Sequence, residues 1–342
     1  SWQNAPAEAG AAITAGGTES IFTACWAARD YWREQNSASI AVPEVVAPIT
    51  VHAAFQKSAH LLGLKLVTTD FDENFRGRAS DIEALISANT AMIVGSAPAY
   101  PHGVFDPIEA LSEIAVRRGV WLHVDACVGG YVSPFAEKLG IDIPAYDFRL
   151  PGVRSMSADV HKHAYAPKGI STLIYRDAKF LKYQSYSTKD WPYGSYESAG
   201  FAGSRPSHSM AAAWAIFHHL GEDGYRDVIG GIFRARDRLM DGITSIQGMY
   251  ILGTPQSSVF TFMSDSYDVH AVADEMDRRG WYCARIQNPR ALHIQCDPFD
   301  DETIDKVLAA MLDCVAPVSY THPTLPTTCR ACTPLVRMSI HQ

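Results

Sequence analysis

The sequence predicts an α/β protein: a mostly parallel mixed sheet sandwiched by helices, followed by a small C-terminal α+β domain. Three observations carry this expectation. Apolar, β-branched runs alternate with helical stretches from Gly16 to about Tyr175. The runs are short, bounded and continuously apolar, as strands become when helices cover both faces of a parallel sheet. A different order, with a long helix, then strands, then a closing helix, begins near Ser209.

The elements follow in sequence. "SIFTACWAARDYWREQ" sets Ile21, Cys25, Ala28 and Trp32 at helical spacing, with Thr18 or Ser20 as the cap. "EVVAPIT" reads as a strand, and "HAAFQKSAHLLG" as a helix ended by Gly63. Next come "LKLVTT" (strand), "RASDIEALIS" (helix, Ser80 as N-cap), "AMIVGS" (strand), "DPIEALSEIAVRRG" (helix) and "VWLHVDA" (strand). After an irregular stretch, "ISTLIYRD" gives another strand. Ser96, Asp125 and Lys162 all fall at or just after strand ends, where open α/β sheets gather ligands.

The later helical run, from Met210, is broken by Gly221 and Gly224; "SSVFTFMS", "LHIQC" and the helix "DETIDKVLAAMLDCV" follow. The expected organisation is a large domain over 1–208 and a small α+β domain over 209–317. The large domain is read as truncated at its start, because a glycine motif arrives by Gly16. Residues 318–342 are rich in Thr and Pro without a period, and read as an irregular tail foreign to the fold. No internal repeat is evident.

Composition removes several function classes. Over 342 residues the formal net charge is −8, the wrong sign for a general nucleic-acid binder. Apolar residues make up 47%, enough for a large core. No apolar run approaches the roughly 18–20 residues of a membrane span, and no secretory leader is visible, so a cytoplasmic protein is expected. Cys25, Cys127, Cys283, Cys296 and Cys314 sit in apolar surroundings, which suits reduced, buried thiols. Cys329 and Cys332 form a single CxxC, and His322 and His341 are not convincingly placed as further ligands, so no metal is expected.

Four stretches carry chemistry. "AGGTES", Ala15 to Ser20, opens a helix on two glycines, a place where unpaired amides and the helix dipole favour a phosphate. An ordinary helix start is the other reading of it. In "VHAAFQKSAH", His52 at a strand-to-helix junction either stacks on an aromatic ring or caps the helix. In "WLHVDACVGG", Asp125 ends an apolar strand, and an aspartate there is costly to bury unless a cation meets it. A protonated pyridine nitrogen is such a cation, as in pyridoxal phosphate enzymes. "SADVHKHAYAPKG", Ser157 to Gly169, then supplies Lys162 beside His161, in the right order after Asp125 for a Schiff-base lysine.

Taken together, "GGTES", "VHAAFQKSA", "SAPAYPHGVFDPI", "HVDACVGG", "DFRLPGVRSMSADVHKHAYAPKG" and "GSRPSHSMAAAWA" resemble the sphingosine-1-phosphate lyase branch of the group II pyridoxal-phosphate-dependent decarboxylases. The matches run in family order from about Ala15 to Ala215. The resemblance implies a fold-type I, aspartate aminotransferase-like fold with pyridoxal 5'-phosphate as cofactor. It implies Lys162 as the Schiff-base lysine, and Gly17, Thr18 and His161 at the cofactor phosphate. His52 would stack on the ring, Asp125 would pair with its nitrogen, and Ser96 would contact its hydroxyl. Tyr100 would sit by the reacting carbons and Lys168 at the substrate phosphate. Ser204 would reach the cofactor phosphate of a neighbouring subunit, making a homodimer the minimal unit.

The implied reaction is retro-aldol C2–C3 cleavage of a phosphorylated long-chain amino alcohol to a long-chain aldehyde and phosphoethanolamine. An amino-acid decarboxylase shares the cofactor, sheet and lysine; Cys127 and Lys168 favour the lyase. A third reading is an inactive or incomplete pyridoxal-phosphate-binding paralogue. It rests on His163-Ala164 where the family usually has Tyr-Gly, on Arg154 at a position more often small and polar, and on the expected N-terminal truncation.

Overall fold

Seven short strands build the large sheet, at whose strand ends Asp125 and Lys162 lie. The computed structural model describes residues 2–37 and 40–318. The strands are β1 (Gly10–Thr14), β2 (Glu44–Pro48), β3 (Lys65–Thr69), β4 (Thr90–Ser96), β5 (Trp121–Asp125), β6 (Val153–Ala158) and β7 (Ser171–Tyr175). Their spatial order is β1-β7-β6-β5-β4-β2-β3. Strands β2 to β6 run parallel to one another, and β7 is antiparallel to both β6 and β1. Strands β2, β4 and β5 are buried along their whole length, which is why they lack a period-two pattern.

Helices α1 (Gly17–Gln35), α2 (Ala54–Leu62), α3 (Ala79–Leu85), α4 (Ile108–Arg118) and α5 (Ser133–Lys138) connect these strands. The apolar face of α1, with Ile21, Ala24, Cys25 and Ala28, packs on Val45, Ala47, Met92, Val94 and Leu173. Phe55 of α2 and Trp121 of β5 complete this cluster. Helices α2 and α4 stop at Gly63 and Gly119, whose φ values of 63° and 68° are left-handed.

Several expectations are corrected. Helix α1 begins after Gly16 and no side chain caps it, so neither Thr18 nor Ser20 is the cap. Ser20 instead shares hydrogen bonds with Thr14 (2.7 Å) and Ser171 (2.9 Å), a buried hydroxyl chain joining β1, α1 and β7. Ser80 is not an N-cap either: Arg78 precedes α3, and the Ser80 hydroxyl donates to Asp81. Strands β1 and β6 had no counterpart in the sequence reading. Strand β1 is small-residue edge backbone, and β6 hides behind its serines, whose hydroxyls pair with Trp121 and His123 in the interior.

A hairpin of β8 (Tyr186–Thr188) and β9 (Tyr196–Ser198) precedes α6 (His208–Thr244). Helix α6 is broken at Gly221 (φ 59°, ψ −169°), whereas Gly224 leaves it intact. The chain divides into two compact units, one of residues 1–230 with 255–257 and the other of 231–254 with 258 onward. Residues 209–230, placed by sequence in the small domain, therefore belong to the first unit. Tyr225 shows why: its ring stacks on Phe135 at 5.1 Å, and its hydroxyl donates to the Ala164 carbonyl at 2.8 Å.

The second unit has an antiparallel sheet of β10 (Met249–Ile251), β11 (Val259–Ser264), β12 (Ala284–Ile286) and β13 (Ala291–Gln295), in the order β10-β11-β13-β12. Helices α7 (Val269–Arg278) and α8 (Asp301–Val318) accompany it. The five cysteines expected to be reduced are free and buried. The CxxC of Cys329 and Cys332, His322, His341 and the Thr/Pro-rich tail from Ser319 lie outside the described residues. Among the described residues, no helix is long and apolar enough to cross a membrane, and no group of three or more His, Cys, Asp or Glu could hold a metal.

Candidate active site

The carboxyl ends of the parallel strands open into a cavity of about 590 Å³. Its wall includes Gly16, Gly17 and Thr18 of the α1 entry, His52, Tyr100, Asp125, Cys127, Asp159, His161 and Lys162. Ile21, Phe22, Leu61 and Phe201 add an apolar side, with Phe22 and Phe201 edge to face at 5.2 Å. Residues from six separate stretches thus meet in one place, in keeping with the strand-end rule for open α/β sheets.

The helix entry is built for an anion. With no side-chain cap on α1, its first amides are left to whatever sits in the cavity. The position of Gly17 is crowded by two side chains. A Cβ there would stand 2.7 and 2.8 Å from the two Asp159 oxygens and 2.8 Å from Cys127 Sγ. Beside it, His161 Nδ1 accepts the Ile170 N–H at 3.2 Å. Burial pulls the His161 imidazole below its ordinary range, with Asp159 opposing that pull.

Asp125 is buried at the end of β5 and accepts from the Cys127 N–H (3.1 Å) and the Ser157 hydroxyl (3.3 Å). Two residues earlier on the same strand face, His123 reaches Ser155 through Nδ1 (2.8 Å) and Ser157 through Nε2 (3.3 Å). Trp121 donates to Ser155, so the hydroxyl chain has one consistent polarity: Trp121 to Ser155 to His123 to Ser157 to Asp125. Burial pushes the His123 imidazole down to about 4, so it is neutral.

Lys162 lies in a turn after β6, where its N–H meets the Asp159 carbonyl at 3.3 Å. Its ammonium is 2.8 Å from Asp159 Oδ2, and its side chain is 25% exposed, into the cavity. Burial alone would lower the Lys162 pKa, but the surrounding anionic groups outweigh it and the amine is held above the ordinary lysine value. Cys127, Asp159 and Asp125 are the groups that oppose burial at Lys162, and the Cys127 thiol is itself pushed up, chiefly by burial.

His52 and Tyr100 lie side by side in the cavity wall, ring centroids 6.4 Å apart and edge to face. His52 also accepts the Ala54 N–H through Nδ1 (3.1 Å), although the N-cap of α2 is Ala53 and no side chain caps that helix. Three predicted residues are not in this wall. Ser96 is buried, in register with Asp125 on the neighbouring strand, and its backbone is tied to Asp106. Lys168 is exposed and donates to the His161 carbonyl at 3.4 Å. Ser204 is exposed in the segment after β9. Arg154, His163 and Ala164 also lie outside the wall; Arg154 stacks over Tyr31, Trp121 and Phe180 at 5.0–5.5 Å.

Sequence reasoning assigned no role to Asp159, although its signal was present: an acidic residue three before the lysine, in a turn short enough to bring them together. Nor did it find Phe22, Leu61 and Phe201, whose meeting depends on tertiary packing.

Residues 2–263 match the model of the pyridoxal-dependent decarboxylase conserved domain. A solved sphingosine-1-phosphate lyase from Burkholderia pseudomallei superposes with a TM-score of 0.87 at 40% identity, covering 91% of this chain and 71% of that one. The chain belongs to the pyridoxal-dependent decarboxylase family, in its sphingosine-1-phosphate lyase branch. It is 43% identical to sphingosine-1-phosphate lyase 1 of Rattus norvegicus and 42% identical to the Arabidopsis thaliana enzyme, over 82% of this chain in each case. It spans about half the length of these curated relatives, 49% and 52%. A glutamate decarboxylase from Lactobacillus brevis, at 18% identity and a TM-score of 0.83, shares the fold.

Pyridoxal 5'-phosphate is the family's cofactor, and the cavity fits it. The α1 entry has no side-chain cap and would suit a phosphate, Gly17 lets Asp159 and Cys127 pack close beside that entry, and a lysine and a buried carboxylate face the same space.

Proposed function

We propose that this chain is the cofactor-binding part of a carbon–carbon lyase acting on phosphorylated long-chain amino alcohols, releasing a long-chain aldehyde and phosphoethanolamine. The observation that carries this reading is that Lys162, Asp125, His52 and the α1 entry all open onto one cavity with an apolar side. The two lyase relatives above, at 42–43% identity, support the substrate class.

Gly17, Thr18 and His161 would hold the cofactor phosphate, His52 would cover one face of the ring, and Asp125 would meet its nitrogen. Lys162 would hold the cofactor covalently until substrate arrives. When bound, pyridoxal phosphate supplies an electron sink for the C2–C3 bond that breaks. Asp125, fixed by Cys127 and Ser157, keeps a negative charge where a ring proton must stay. Tyr100, at the wall beside His52, is the side chain assigned to proton transfer at the reacting carbons. Ile21, Phe22, Leu61 and Phe201 exclude water and receive the hydrocarbon chain. Lys168 is assigned to the substrate phosphate from just outside the wall. Ser96, buried below the wall, is kept as a contact to the ring hydroxyl, and Ser204 as a contribution from a second copy. The working unit is proposed as a cytoplasmic homodimer.

Borohydride reduction of the pyridoxal-phosphate-loaded chain, followed by peptide mapping, tests the core of this reading. The label is expected on Lys162, and a label on another lysine overturns it. Aldehyde release from a phosphorylated amino alcohol, compared with its unphosphorylated form, tests the substrate class. Equal rates, or carbon dioxide release from an amino acid instead, would move the chain to the decarboxylases.

A further inference from the structure

Asp159 touches more of the cavity's key groups than any role given so far explains. Its Oδ2 lies 2.8 Å from the Lys162 ammonium and 3.8 Å from His161 Nε2. Its Oδ1 is buried and has no hydrogen-bond partner among the described residues. The carboxylate is walled in at Gly17 and Cys127, as the contacts of a Cβ at Gly17 show. A carboxylate kept for stability alone would have both oxygens satisfied, since a buried unpaired acceptor is destabilising. Here the unsatisfied oxygen and the half-open lysine share one cavity.

We propose that Asp159 is a positioning residue, the fixed counter-charge that docks the Lys162 side chain as an ammonium whenever its amine is not covalently engaged. The proposal rests on the pyridoxal phosphate reading of the site and adds a role for a residue outside it. Three features make the dock specific. Asp159 and Lys162 belong to one turn, closed by the Lys162 N–H to Asp159 carbonyl bond and followed by the Tyr165 N–H to Lys162 carbonyl bond at 3.0 Å. The Asp159 N–H is tied to the Cys127 carbonyl at 3.3 Å, so the carboxylate is anchored from the neighbouring strand end. Only Lys162 among the wall's lysines forms an ion pair with it; Lys57, the other one, is not paired to it.

The consequence is chemical. A lysine that is released and taken up again in each cycle must not wander to solvent or react while free. An ammonium held at 2.8 Å is positioned and, while protonated, is not a nucleophile. Other groups face the pair as well. Asp125 adds negative charge, His161 is drawn toward the neutral form, and Cys127 and Tyr131 are kept neutral by burial.

The test uses the full chain stripped of pyridoxal phosphate, with potassium cyanate as the probe and peptide mass spectrometry to give the carbamylation rate of each lysine from pH 7 to 11. In the unaltered chain, Lys162 should reach half its limiting rate at a higher pH than Lys57 and Lys168. Asp159→Asn should move the Lys162 profile down by at least about one pH unit, because an opposite charge at this range is typically worth 1–3 units. At pH 8 that is about a tenfold faster reaction or more at Lys162 alone. Asp159→Glu should keep most of the slow reaction.

An unshifted Lys162 profile in Asp159→Asn overturns the proposal, and so does equal acceleration of all three lysines, which marks a loosened fold. If Asp159→Asn does not fold, the unaltered chain still decides: a Lys162 profile at or below those of Lys57 and Lys168 overturns the dock. The borohydride label separates the two readings. A label away from Lys162 removes the proposed function, whereas a label on Lys162 with an unshifted profile removes only the role of Asp159.

Discussion

His123 and Asp125 stand two residues apart on one strand and reach each other through the hydroxyl of Ser157, at 3.3 Å from each. The imidazole is fully buried and neutral, and the carboxylate sits at the cavity wall. A structural histidine therefore orients the hydroxyl that orients the site's aspartate.

This arrangement predicts a pH dependence. His123 titrates near 4 in the folded chain, against about 6.5 unfolded, so the unfolded state binds the extra proton between these values. Its contribution is fully present above about pH 6.5 and is lost as pH falls toward 4, by up to about 3 kcal/mol. Asp106 has the opposite sign. Burial raises it to about 6 even though its oxygens accept the N–H groups of Gly77 and Ser96. Its contribution is present below about pH 4 and is lost as pH rises through 6. Melting temperatures measured from pH 4 to 7 should show the unaltered chain's advantage over His123→Gln shrinking toward acid. Its advantage over Asp106→Asn should shrink toward neutrality. Parallel curves would remove both assignments.

Gly17→Ala should fold and fail to hold the cofactor. The added methyl meets the Asp159 carboxylate and the Cys127 thiol below 3 Å, so those side chains, or the helix entry against them, must shift. Pyridoxal phosphate affinity, followed by absorbance titration, should fall at least about tenfold, since about 1.4 kcal/mol of misfit suffices for that. Unchanged affinity, with an intact circular dichroism spectrum, would show that the entry is not the phosphate seat.

Asp125→Ala should leave the fold in place and reduce turnover by at least about a hundredfold, on the scale of losing a preorganised charge in a water-poor site. The same change should free the Ser157 hydroxyl and the Cys127 N–H, giving a lower melting temperature. Near-normal kinetics would remove Asp125 from the cofactor's nitrogen.

Tyr100→Phe keeps the ring at the cavity wall and removes only the hydroxyl. A residue moving a proton typically contributes about 10²–10⁴-fold, so turnover should fall by that much with little change in cofactor affinity. A loss confined to KM would make Tyr100 a substrate contact instead.

Much of this was legible in the chain because burial on both faces leaves β2, β4 and β5 as unbroken apolar runs. Asp125 stood out because a charged group at the end of such a run needs a partner, and Lys162 because it follows Asp125 in order with His161 beside it. Strand β6 was not legible, since Arg154, Ser155 and Ser157 look like loop residues until Trp121 and His123 are placed opposite them. The unit boundary inside α6 was hidden because helical periodicity runs on past Gly221, while packing at Tyr225 decides where the chain belongs. Asp159 looks buried in its stretch, but nothing in the sequence says which group it faces; the turn that brings it to Lys162 does.

The outermost strand of the large sheet gains a meaning from where it ends. Strand β1 is held on one side only, by β7, and three residues after its last residue the helix entry begins at Gly17. Lys162 and His161 lie in the loop that leads into β7 itself. A ligand gripped by both would span the seam between the margin and the body of the sheet. Occupancy should then be readable far from the chemistry, as slowed hydrogen exchange at the amides of Ala12 and Thr14, because whatever binds the closed seam must be released before it can open. The cofactor would serve this fold as a rivet as well as a reagent.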